Sequence, residues 1–163
     1  MKTFNTNTSN NPEWLTPKYI TDVLGPFDLD PCSPGIRRPW DTAKYHIGLP
    51  DDGLQWDWFG RVWCNPPYGR KTFKWIDKLA DHGNGIALIF ARTETIGFHQ
   101  HIWAKANGIF FFKGRLAFAD INGLTGDVAN APSCLVSYSE DDNEIIKKAQ
   151  FNGKFIELNP QPQ

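Results

Sequence analysis

The chain has 163 residues, enough for one domain with a sizeable core. Hydrophobic residues make up 40% and charged residues 21%, which excludes an intrinsically disordered chain. The net charge of -1 excludes a global basic field, so any grip on nucleic acid must be local.

Aromatics reach 14%, with seven Trp and twelve Phe. Most suit an apolar core, and a minority suits stacking on flat ligands. Cys32, Cys64 and Cys134 are widely spaced and odd in number, which suggests neither a disulfide framework nor a metal site. They read as thiols of a reducing interior. No apolar leader opens the chain and no segment is long enough to span a membrane, so a cytoplasmic protein is expected.

Residues 1–13 are rich in Asn, Thr and Ser and read as a flexible tail; residues 14–163 read as a single domain. TPKYITDVLG predicts a helix, with Thr16 as N-cap, Pro17 in the first turn and Gly25 as stop. FDLD (Phe27 to Asp30) reads as a strand ending in acid. Pro31 to Gly60 is a long Pro/Gly loop, of the kind that carries function, with a short helix or strand near Ala43 to Tyr45. RVWC (Arg61 to Cys64) is a buried-type strand. KTFKWIDKLADHG spaces Phe73, Ile76, Leu79 and Ala80 for a helix. GIALIFA reads as a strand covered on both faces. FHQHIWAKANG follows as a helix, IFFFK and GRLAF as strands, and ADINGLTGDVANAP as a polar loop. SCLVSY is a strand, DDNEIIKKAQ a helix and GKFIEL a last strand. Alternating strands and helices predict a doubly wound, mostly parallel α/β sheet, with ligands at the carboxyl ends of its strands.

One strand end stands out. In VWCNPPYGR, Pro66 and Pro67 hold the chain extended and supply no N–H donors. Asn65 offers a side-chain acceptor and the Pro66 carbonyl a second, together suited to both hydrogens of an exocyclic amino group. Tyr68 offers a ring face. The stiff support leaves this fork little freedom to lose. Four such letters recur by chance in roughly one chain per thousand of this size, so NPPY alone is modest evidence. Arg61, Arg70, Lys71, Lys74 and Lys78 gather around it, and Arg37 and Arg38 lie in the preceding loop. His99 and His101 diverge on a helix, so no metal pair is read there. Thr93 and Glu94 are placed to line a cleft, and Glu94 suits equally a helix cap. Arg115 suits DNA or an internal carboxylate equally.

WLTP, FDLDPCS, DDGLQWDW, VWCNPPYG, ARTETIGFH, GRLAF and NAPSCLVSY run in that order from Trp14 to Tyr138. This collinear set resembles the phage-type DNA N6-adenine methyltransferase (Dam-like) family. The resemblance implies a Rossmann-like fold that uses S-adenosyl-L-methionine and acts on DNA. Asn65, Pro66, Pro67 and Tyr68 would grip the target amino group of a flipped base. Thr16 and Pro17 would sit near the methionine carboxylate of the cofactor, Asp30 and Cys32 in its motif after the first strand, and Asp57 near its adenine. No G-x-G follows FDLDPCS, which shifts more of the cofactor role onto Asp28 and Asp30; Asp41, Asp51 and Asp52 are candidates for the ribose hydroxyls. Arg70, Lys71, Lys74 and Arg115 would meet DNA phosphates. No separate target-recognition domain is seen. The readings beside it are methylation of cytosine N4 or of an RNA base, and a catalytically inactive DNA binder. A prophage or restriction-modification setting and a monomer or weak dimer are expected.

Overall fold

The computed structural model describes residues 14–160; the tail expected over residues 1–13 lies outside them. Helix α1 (Lys18–Leu24) buries Ile20, Thr21 and Leu24 and follows Pro17. Thr16 does not cap it, because its hydroxyl is engaged elsewhere. Strand β1 (Leu29–Asp30) precedes a loop that contains only the short β2 (Tyr45–His46) and one 3-10 turn, Gly53–Gln55. Then come β3 (Val62–Cys64), α2 (Thr72–His82) and β4 (Gly85–Phe90). The short α3 (Ile96–Phe98) passes directly into a π-helical turn, His99–Trp103. Strands β5 (Gly108–Phe112), β6 (Ala117–Ala119), β7 (Thr125–Val128) and β8 (Ser133–Ser137) follow, then α4 (Glu140–Lys148) and β9 (Gly153–Glu157). Strand β7 lies in the stretch expected as a polar loop. All four of its residues are exposed, so it carries no apolar alternation to betray it.

Seven strands form one sheet in the order β2-β1-β3-β4-β8-β5-β9, and β6 and β7 form a separate hairpin. The pairs β1/β2, β1/β3 and β3/β4 are parallel, whereas β4/β8, β5/β8 and β5/β9 are antiparallel. The expectation of a doubly wound, mostly parallel sheet is therefore corrected to a mixed α/β sheet with few helices. Two physical causes account for this. The loops on both sides of β2 contain no crossover helix. After β5 the chain turns back through the β6/β7 hairpin, so β8 returns antiparallel between β4 and β5.

The apolar strands are buried on both faces, as GIALIF suggested. Ala87 and Ile89 of β4 face a cluster built on Ile76 and Leu79 of α2. Ile86 and Leu88 face the other cluster, with Ile20 and Leu24 of α1 and Ile146 of α4. This two-residue alternation is the pleat of a strand.

Arg61, grouped with the surface basic residues by sequence, is instead an internal clamp at the amino end of β3. Its Nε donates to Asp142 Oδ1 at 2.7 Å, and its Nη1 donates to the carbonyls of Leu24 at 2.6 Å and Pro26 at 3.0 Å. Asp142 Oδ2 accepts from Gly85 N at 2.9 Å and Ser139 Oγ at 2.6 Å. The clamp ties the end of α1 and the start of α4 to the amino ends of the interior strands β3 and β4, opposite the end that carries the NPPY turn.

Candidate active site

Strand β1 is flanked by β2 on one side and β3 on the other. The chain leaves β1 outward and returns across it, so the strand order reverses between β1 and β3. Such a reversal opens a crevice at the carboxyl ends of the two strands. A cavity of about 460 Å³ lies there, within the roughly 300–1,000 Å³ range of small-molecule sites. Its lining combines the loop after β1, the loop after β2, the segment before α1 and the NPPY turn.

Of the residues singled out by sequence, Thr16, Asp30, Cys32, Asn65, Pro66, Pro67 and Tyr68 line this cavity together. Pro17, Asp28 and Asp57 do not. Pro17 is buried at the entrance of α1. Asp28 points to the opposite end of the strand, where its Oδ2 accepts from Arg61 N at 2.7 Å. Asp57 is exposed beyond the 3-10 turn, and Asp51 and Asp52 line the cavity from that segment instead. Arg70, Lys71, Lys74 and Arg115 are exposed outside it, and among the described residues none of them forms a salt bridge.

Asn65 is held in one orientation. Its Nδ2 donates to the Trp14 carbonyl at 3.3 Å and to Thr16 Oγ1 at 3.2 Å. Its Oδ1 is buried and accepts no hydrogen bond. A buried acceptor without a donor costs about 1–3 kcal/mol, so this atom suits a ligand N–H. Trp63 Nε1, on the same face of β3 and also in the cavity wall, is a buried donor without a partner. The NPPY turn is braced from α2: Thr72 Oγ1 donates to the Pro67 carbonyl at 2.8 Å and accepts from Gly69 N at 2.9 Å.

Asp30 is buried at the end of β1. Its Oδ1 accepts from Cys32 N at 3.0 Å and its Oδ2 from the Thr42 hydroxyl. Burial pushes its carboxyl up to about 6, against the opposing pull of those two hydrogen bonds and of Arg38. A raised folded-state value means Asp30 favours folding most below the ordinary carboxylate range of about 4. That contribution is lost as pH rises through 6, when the buried group ionises. Cys32 Sγ lies 3.7 Å from Cys64 Sγ, and burial, then Cys64, pushes the Cys32 thiol up. Cys32 therefore acts as a protonated, apolar wall and not as a nucleophile.

Three acidic residues, Asp30, Asp51 and Asp52, line the cavity with the single basic residue Arg38, a balance that favours a ligand with positive charge. Trp14, Trp40, Trp63 and Trp75 supply flat apolar walls, so four of the seven tryptophans serve this one site. Residues 3–152 match the family model of DNA N-6-adenine-methyltransferases (Dam). The chain belongs to the Dam family. It is an adenine-specific DNA-methyltransferase, acting at N6. No curated protein and no solved structure matches it.

Several residues of this Dam-family site escaped the sequence reading. Gly48 and Gly53 come from the loops after β2 and press against the loop after β1: a Cβ on Gly53 would collide with the Pro31 carbonyl, and one on Gly48 with the Ser33 carbonyl. These two glycines let the chain after β2 lie directly against the loop after β1. Trp58 stacks on Trp75 at 6.3 Å and donates from Nε1 to the Gly53 carbonyl at 2.8 Å, which fixes that loop to α2. A signal was present in the DDG and the Trp spacing of DDGLQWDW, but only the fold shows which carboxylate faces inward. Among the described residues no group of three or more His, Cys, Asp or Glu is arranged to hold a metal, and no helix is long and apolar enough to cross a membrane.

Proposed function

We propose that the cavity binds S-adenosyl-L-methionine beside an adenine flipped out of duplex DNA, and that the NPPY turn holds the base. The observation that carries this reading is Asn65, with Nδ2 tied back to the protein and Oδ1 buried without a donor. Size, flat aromatic walls and an excess of carboxylates fit a nucleoside with a cationic amino-acid tail. Asp30, Asp51 and Asp52 would hold its positive groups, and the Trp63 indole N–H is free to donate to an acceptor on it. The parallel half of the sheet, β2-β1-β3-β4, and its strand-order reversal support a Rossmann-like reading of this end.

When bound, the cofactor supplies a methyl group activated on a sulfonium. The rest falls to the chain. Adenine N6 is a poor nucleophile because its lone pair is delocalised into the ring. Asn65 Oδ1 and the Pro66 carbonyl would accept its two hydrogens and favour a more tetrahedral nitrogen, which frees the lone pair for attack. The positive charge that would pass to N6 as the sulfonium becomes a neutral thioether would be stabilised by the same two carbonyl dipoles until the surplus proton passes to water. Tyr68 stacks on the flipped ring. Arg70, Lys71 and Lys74, at the start of α2, would meet flanking phosphates, and Arg115 would do so from the approach to the hairpin.

Titration of the protein with S-adenosyl-L-methionine by calorimetry, and mass analysis of nucleosides from treated DNA, test this reading. Absence of binding at millimolar ligand would overturn the cofactor assignment. Affinity is expected to rise about tenfold between pH 5 and pH 7 as Asp30 ionises, and Asp30→Asn is expected to flatten that rise. Tyr68→Ala is expected to lower kcat/KM about 10- to 100-fold through loss of base stacking, while Tyr68→Phe stays within a few-fold of wild type. Full activity of Tyr68→Ala would remove the stacking role.

A further inference from the structure

We propose that Phe90 is a positioning residue that fixes the plane in which Tyr68 meets the target base. The inference rests on the reading of Tyr68 as the stacking partner. Phe90 ends β4, the neighbour of β3 on the side away from β1. Tyr68 lines the cavity and Phe90 does not. Tyr68 therefore stands between Phe90 and the space where a base would enter.

The two rings have centroids 4.0 Å apart and planes within 6°. No other aromatic pair among the described residues is as close or as parallel; the next closest is Phe110 with Phe112, at 5.1 Å and 79°. Near-parallel overlap at this distance is not what ring quadrupoles favour by themselves, since aromatic pairs prefer offset or edge-on contacts at roughly 4.5–7 Å. The backbone imposes it. Phe90 is fixed by the sheet, and Tyr68 by the two prolines and the two hydrogen bonds of Thr72. The Arg92 guanidinium, 5.8 Å from the Phe90 centroid, adds an attraction to the same ring. Tyr68 itself is 36% exposed on a loop. Without a flat wall behind it, its ring has two side-chain rotations by which to leave the stacking plane. Phe90 thus prepares a surface on which the base forms the next layer.

The test compares Phe90→Leu and Phe90→Met, which keep bulk and lose the flat face, with Phe90→Tyr, which keeps it. Turnover is read on an unmodified duplex that the wild-type enzyme methylates, and base flipping on the same duplex with 2-aminopurine, which lacks the N6 amino group, in place of the target adenine. Both aliphatic variants are expected to bind S-adenosyl-L-methionine within about twofold of wild type and to lose about fivefold to tenfold in kcat, the scale of an aromatic contact. The 2-aminopurine signal in their complexes is expected to be brighter, because the flipped base loses its stacked quencher. Phe90→Tyr is expected to match wild type in both. Wild-type kcat and signal in the aliphatic variants would overturn the proposal. So would an equal loss in Phe90→Tyr, or failure of both aliphatic variants to fold, which would make Phe90 a packing residue only. If Tyr68→Ala is fully active, the stacking reading fails first; if it is impaired while the Phe90 variants are not, only the present inference fails.

Discussion

Asn65→Ala is expected to lower methyl transfer to DNA by about 10²- to 10³-fold, the scale for removal of one preorganised polar group from a site of developing charge. The side chain has two separable duties. Oδ1 faces no protein donor and is assigned to the N6 hydrogens, whereas Nδ2 anchors the segment before α1 through Trp14 and Thr16. Thr16→Val removes one anchor and leaves Oδ1 in place, so it is expected to act more weakly than Asn65→Ala. Initial rates of labelled methyl incorporation into unmethylated DNA measure both. An Asn65→Ala enzyme within a few-fold of wild type would sink the role given to that atom.

The largest effect on stability is expected far from the chemistry. Asp142→Ala should destabilise the fold by about 3–5 kcal/mol, because it leaves the half-buried Arg61 guanidinium without its carboxylate. It also strips the Gly85 N–H and the Ser139 hydroxyl of their acceptor. For a chain of this size the melting temperature should fall by about 10 °C. Thermal and urea unfolding measure it, and a shift of only a degree or two would show that the clamp is offset by its own desolvation. Arg61 Nη2 is already buried without a partner, so the clamp is incompletely satisfied even in the native chain.

Local signals in the sequence were strong where one segment decides the outcome. The helical spacing of Ile76 and Leu79, the apolar run of β4 and the stiff turn at Pro66 and Pro67 each state their structure within a dozen residues. What long-range pairing decides was hidden. The SCLVSY run reports burial on two faces and not direction, so β8 could not be read as antiparallel. Thr16 has the chemistry of a helix cap, and only the approach of Asn65 shows that its hydroxyl is spent on the site. Asp51, Asp52 and Asp57 look alike in the chain; only the fold around the 3-10 turn at Gly53 shows that the first two are in the cavity lining and the third is not. Phe90 closes an apolar run that suits any core strand, and nothing local shows that its ring backs Tyr68.

The segment before α1 also sets an order of events during synthesis. Leu15 exchanges two backbone hydrogen bonds with Ala119 of the β6/β7 hairpin, at 2.8 Å and 3.1 Å, while Trp14 and Thr16 receive Asn65 from the middle of the chain. A chain emerging from a ribosome at roughly 5–20 residues per second offers these partners one after another. The NPPY turn is made before the hairpin that pins the segment next to it. A nascent chain stopped short of β6 thus carries every residue of the fork and lacks the strap that holds Asn65 in register, so competence for catalysis arrives late in translation.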